Sequence, residues 1–171
     1  MTGIQSLGDV RALLQTLPGP DDQAAENARA REPQLTKPGG SLGRLEDIAE
    51  WLAAWQGRHP AQVERIKVAV FAGNHGVTAQ GVSAFPPEVT FQMVANFEAG
   101  GAAINQLCKV AGADLEVVAL DLDNPTRDFS IEPAMDDASC AAAFRRGMEA
   151  VGADYDVICL GEMGIGNTTP A

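Results

Sequence analysis

Three short apolar runs rich in β-branched residues constrain this chain more than any other feature: Ile66-Lys67-Val68-Ala69-Val70-Phe71, Leu115-Glu116-Val117-Val118-Ala119-Leu120, and Asp156 to Leu160. Each ends in glycine or polar residues, and the stretches between them carry helical apolar spacing. Strands joined through a helix describe βαβ crossovers, so the pattern predicts an α/β chain with a mostly parallel sheet flanked by helices, Rossmann-like in plan. Parallel sheets bind ligands beyond the carboxyl ends of their strands. Candidate chemistry therefore concentrates at Ala72 to Gly76, Asp121 to Asn124, and Gly161 to Thr169.

The remaining segments read as helices and loops. Ile4, Leu7, Val10, Leu14 and Leu17 share a helical stripe that Pro18-Gly19-Pro20 ends, and Asp21 and Asp22 offer caps for a second helix to about Ala30. Ser41 can cap a third, whose apolar face is Leu42, Leu45, Ile48, Ala49, Leu52 and Trp55, closed by Gly57 and Pro60. Pro86-Pro87 can start a helix with Val89, Met93, Val94 and Phe97 on one face. Gly100-Gly101 breaks it before Ile104, Leu107, Cys108 and Ala111 continue helically. Asp121 to Asp136 reads as an irregular loop, followed by a helix with Phe144, Met148 and Val151 on one side.

A chain of 171 residues, 46% hydrophobic and 20% charged, suits one globular core. Asp and Glu number 23 against 12 Lys and Arg, a formal net charge of -11, so there is no sequence-wide basic field for nucleic acid or an anionic membrane. A small phosphorylated metabolite stays possible, because converging backbone N–H groups bind anions against an unfavourable net charge. Cys108, Cys140 and Cys159 form no C-x-x-C pair and read as reduced packing thiols. The N-terminus lacks a basic region leading into an apolar core, and no apolar run approaches the ~18 residues of a membrane span. The expected compartment is the cytoplasm.

Gly161-Glu162-Met163-Gly164-Ile165-Gly166-Asn167-Thr168-Thr169 follows the third strand, and its glycines would let backbone amides converge on an anion, with a helix expected to begin just after it. By spacing alone the segment is either a phosphate cradle or a plain glycine turn. Glu162 is either a solvated turn acid or a carboxylate serving a ribosyl ring, whose hydroxyls it could accept and whose developing oxocarbenium charge it could stabilise. His75 could be a general base, a metal ligand or a hydrogen-bonded structural histidine, the last being favoured. No third ligand stands at metal-like spacing, so no metal and no cofactor is expected. Lys37, Arg44 and Lys67 are the cations near glycines or strand ends, and no G-x-G-x-x-G follows the first strand to suggest a dinucleotide site.

Four segments carry a family resemblance. Lys37-Pro38-Gly39-Gly40-Ser41-Leu42-Gly43-Arg44-Leu45-Glu46 resembles the K-P-x-G-S-L-G-R-L-E signature of the nicotinate-nucleotide:dimethylbenzimidazole phosphoribosyltransferases. Gly73-Asn74-His75-Gly76-Val77 is similar to their D-H-G-V segment, with Asn74 in place of the usual Asp. Gly81 to Pro86, Val89-Thr90, Asn96-Phe97 and Gly100-Gly101-Ala102 continue the match, and residues 161–169 resemble the family's G-E-[ML]-G-x-x-N-T-T phosphate segment.

The resemblance implies transfer of phosphoribosyl from nicotinate mononucleotide to 5,6-dimethylbenzimidazole, giving nicotinate and α-ribazole 5′-phosphate for cobalamin assembly. Carried over by position, Gly164, Gly166, Asn167 and Thr168 would hold the 5′-phosphate. Glu162 would support the developing charge, and Phe85, Met93 and His75 would help wall the benzimidazole pocket. Family members are about twice as long, so an N-terminal half is expected, with the glutamate serving as catalytic base in the other half and no turnover from this chain alone. Residues 1–60 would be a helical segment of a smaller domain and linker, and residues 61–171 an α/β substrate-binding domain incomplete at its C-terminus. A homodimer is implied. The alternative is a non-catalytic nucleotide- or benzimidazole-binding module of the same fold.

Overall fold

A computed structural model describes residues 3–152 and 154–171. The chain divides into two units: an α/β unit formed by the N-terminal segment to Leu14 with Arg65–Ala171, and a helical unit, Gln15–Glu64.

In the α/β unit, β1 (Ile66–Ala72), β2 (Asp114–Ala119) and β3 (Val157–Met163) form a parallel sheet in the order β2-β1-β3. The expected fold class is thus the observed one. Side chains alternate across a strand, and β1 uses both faces. Val68 and Val70 join Phe97, Ala102 and Cys108 in a core cluster, with Met93, Ile104, Leu115, Val117 and Met163 packed against it. These residues belong in part to α4 (Glu88–Glu98) and α5 (Ala103–Ala111), which therefore cover that face. Lys67 points the other way, and its Nζ donates to Ala150 O, 2.5 Å away, at the end of α6 (Asp137–Val151).

The first helix, α1 (Leu7–Leu14), is shorter than its apolar stripe suggests. A reciprocal cap sets its start: the Asp9 amide donates to Ser6 Oγ at 3.2 Å, and the Ser6 amide donates to Asp9 Oδ2 at 2.9 Å. Ile4 and Val10 then pack with Ala141 of α6, against Leu7, Leu13 and Met148. This contact places Ile4 to Leu14 with the α/β unit, and the helical unit runs from Gln15 to Glu64.

The helical unit contains α2 (Asp22–Arg31) and α3 (Arg44–Gln56). Asp21 caps α2 by accepting from the Ala24 amide at 2.8 Å, and its own amide donates to Ala54 O. Ala24, Ala28, Ala53 and Ala54 are buried, small residues that let helices approach closely. Two expectations for α3 change. Its cap position is Gly43, while Ser41 lies in the preceding turn and the Leu42 amide donates to Glu46 Oε1. Its apolar stripe, Leu42, Leu45, Ile48 and Trp55, is exposed, because the helix packs through alanines and α2, Asp-Gln-Ala-Ala-Glu-Asn-Ala-Arg-Ala-Arg, offers no large apolar side chain to meet it. Among the described residues, no helix is long and apolar enough to cross a membrane.

Candidate functional site

Sheet pairing continues past the ends of the strands and draws two loops together. The Gly73 amide donates to Met163 O, and His75 forms a parallel bridge with Thr126. Asn74 is buried. Its Nδ2 donates to Leu122 O at 2.9 Å, and its backbone carbonyl accepts from the Thr126 amide. A carboxylate could not donate to Leu122 O, so the amide at this position ties β1 to the loop after β2.

β3 runs to Met163, past the expected end at Leu160. Glu162 is therefore a strand residue, opposite Phe71 in the register, rather than part of the loop. Only cross-strand pairing with β1 fixes this, since Gly161 and Glu162 have weak strand propensity of their own. Residues 165–170 form consecutive turns.

The turn sits where only glycine fits. A Cβ on Gly164 would lie 2.3 Å from Gly73 O and 3.0 Å from His75 Nε2. Gly166 has a φ of +77°, and its Cβ would lie 2.8 Å from Thr78 Cγ2. Within the turn, the Asn167 amide donates to Gly164 O and the Thr169 amide to Gly166 O. The Ile165 amide donates to Thr90 Oγ1 at 3.1 Å. Among the described residues, the amides of Gly166 and Thr168 have no oxygen of the protein to donate to.

Glu162 is exposed, and Asn167 Nδ2 donates to both of its oxygens at 2.6 Å. Asn167 thus fixes the carboxylate plane. His75 is half-buried, and burial pushes its imidazole below the ordinary histidine value, while the charge of Glu162 acts in the opposite direction. A neutral ring next to the glycine turn follows at neutral pH.

The structure therefore gathers Glu162, His75, Gly164, Gly166 and Asn167 at one end of the sheet, with Thr168 following in the turn. Phe85 lies on the loop before α4 and is 64% exposed, with its amide donating to Ser83 Oγ. Met93 instead packs in the core cluster between α4 and the sheet. Lys67 is at the opposite end of β1, held by Ala150 O, by Glu116 at 2.6 Å and by the face of Tyr155. Lys37 is clasped by Glu32 and Glu46, and Arg44 pairs with Asp47. The Lys37–Glu46 pair joins the two ends of the Lys37-to-Glu46 signature segment, giving that spacing a structural cause. Thr90 is the site neighbour that sequence reasoning passed over. The available signal was a hydroxyl on the stripe Thr90, Met93, Phe97, where an apolar residue would be expected. Among the described residues, no group of three or more His, Cys, Asp or Glu could hold a metal ion.

A protein-family model described as phosphoribosyltransferase matches residues 17–171. A nicotinate-nucleotide–dimethylbenzimidazole phosphoribosyltransferase of Mesorhizobium japonicum is 61% identical over 167 residues, covering 98% of this chain and 50% of the relative. One of the same name from Cereibacter sphaeroides is 58% identical over 166 residues, covering 97% and 49%. A crystal structure of the Thermus thermophilus protein of that name superposes with a TM-score of 0.79 at 40% identity, covering 87% of this chain and 51% of that one. The chain thus spans about half the length of the curated relatives it matches.

Proposed function

Since the chain belongs to the phosphoribosyltransferase family whose matched members are named for nicotinate nucleotide and dimethylbenzimidazole, we propose that its protein transfers phosphoribosyl from nicotinate mononucleotide to 5,6-dimethylbenzimidazole. The products are nicotinate and α-ribazole 5′-phosphate, with inversion at the anomeric carbon, in the late steps of cobalamin assembly. What carries the reading is the glycine turn at the end of β3, where the unengaged amides of Gly166 and Thr168 lie beside a carboxylate fixed by Asn167.

In this reading the turn receives the 5′-phosphate on its free amides, aided by Gly164 and the Thr168 hydroxyl. Anchoring the phosphate presents ribosyl C1 to the incoming base, so much of the rate comes from positioning. As the bond to nicotinate breaks, positive charge develops on the sugar, and the Glu162 carboxylate stabilises it. Asn167 acts on this carboxylate as well as on the turn, by holding both of its oxygens. The neutral His75, with Phe85, lines the side taken by the benzimidazole. Met93 supports that wall from behind, through the packing of α4. Removal of the benzimidazole ring proton falls to a carboxylate outside these residues, so the 171-residue chain alone carries no turnover. The helical unit is part of a smaller domain, and the protein works as a cytoplasmic homodimer.

The deciding experiment incubates the full-length natural protein with nicotinate mononucleotide and 5,6-dimethylbenzimidazole and detects α-ribazole 5′-phosphate by mass. Glu162→Gln should lower kcat about 100-fold while leaving the protein folded. Binding of the nucleotide without product would favour a non-catalytic module, and an unchanged kcat in the variant would remove Glu162 from the mechanism.

A further inference from the structure

Thr90 is fully buried near the start of α4, and its hydroxyl oxygen accepts the Ile165 amide at 3.1 Å. Ile165, itself buried, lies between the two glycines that carry the candidate phosphate cradle. We infer that Thr90 is a positioning residue for the phosphate-binding turn, an inference that rests on the transferase reading above.

Anion binding by the turn depends on which of its amides point outward. A turn of successive peptide units can rotate its N–H groups inward or outward, and glycines at 164 and 166 leave that choice open. Thr90 takes the Ile165 amide into the interior, and the Asn167 and Thr169 amides close the turn on Gly164 O and Gly166 O. The alternate amides, Gly166 and Thr168, are left without a protein acceptor among the described residues. With the outward set defined by the inward one, the hydroxyl at 90 governs phosphate affinity without touching phosphate. The anchor is firm because α4 is itself packed into the core through Phe97 and Met93.

The test uses the full-length natural protein. Thr90→Val keeps the shape and removes the acceptor, and Thr90→Ser keeps the acceptor. In Thr90→Val, KM for nicotinate mononucleotide should rise about 5- to 30-fold, the size expected for one lost buried hydrogen bond. KM for the benzimidazole should stay within about 2-fold, the scale of a surface-level perturbation. Thr90→Ser should restore the wild-type KM. A role in stability alone would lower the melting temperature and the active fraction while leaving both KM values in place, and that result overturns the inference. Amide exchange in the wild-type protein gives a second decision should Thr90→Val fail to fold. The Ile165 amide should be among the protected ones, and exchange as fast as in an open loop would overturn the inference. Absence of turnover in the wild type would instead overturn the transferase reading.

Discussion

Asn74 shows how much one atom can decide. An Asp there would keep the size and shape but would present an acceptor to Leu122 O, which already accepts. Buried at this depth, the carboxyl would be driven to take up a proton, since the protonated form alone can donate. Its folded pKa would then lie above the unfolded value near 3.9, so the variant would lose stability as pH rises. Asn74→Asp should cost about 3 kcal/mol at pH 8 and measurably less at pH 4, by denaturant unfolding. Equal losses at both pH values would mean that Leu122 O has another donor. The same logic accounts for Gly164, where the approach of Gly73 O leaves no room for any side chain.

At the scale of elements, caps and partners decide more than propensity. α1 begins at Leu7 because Ser6 and Asp9 cap each other, although the apolar stripe runs from Ile4. α2 begins where Asp21 accepts the Ala24 amide, and the same residue's amide joins α3 at Ala54 O. Asp21→Ala should therefore weaken the start of α2 by about 1 kcal/mol. Hydrogen exchange would report it as faster exchange of the α2 amides, with those of β1 unchanged. An effect spread equally over both would mean that the two units unfold together. β3 illustrates the opposite case. It extends through Gly161 and Glu162 because β1 supplies partners as far as Ala72, whatever those residues prefer alone.

For the whole molecule, pH acts in two windows. The Asp9, Asp128 and Asp136 carboxyls are held low by hydrogen bonds, and Lys37 does the same for Glu46. Their stabilisation is present above the ordinary values of 3.8 to 4.5 and disappears as pH falls through and below them. His75 acts earlier. Its folded value lies below 6.5, so between the two values the unfolded chain binds the extra proton and stability drops as pH falls from 6.5. The melting temperature of His75→Gln should accordingly lose less than wild type between pH 7 and pH 5 and match its acid loss below pH 4. Parallel curves across the upper window would show that His75 does not feel its burial.

Much of this architecture is local and so could be read along the chain. Strand runs, helix periods and glycine punctuation depend on neighbours a few residues away, and they predict the three parallel strands, the helices between them and the loops that hold the candidate site. The motifs were equally legible, because Glu162, His75 and the turn glycines each stand in a short distinctive segment. What lay beyond reach involves partners far apart in sequence. Thr90 and Ile165 are 75 positions apart, Asn74 and Leu122 are 48 apart, and Arg145 donates to Ile4 O across 141. The sequence by itself determined the class of fold and where along the chain its candidate site residues stand, because backbone periodicity and glycine geometry are properties of short segments. Only tertiary structure decided which amides of the turn are free, which face of α3 is buried and which unit α1 joins, because a buried polar or apolar group takes its partner from whatever the folded chain brings within reach.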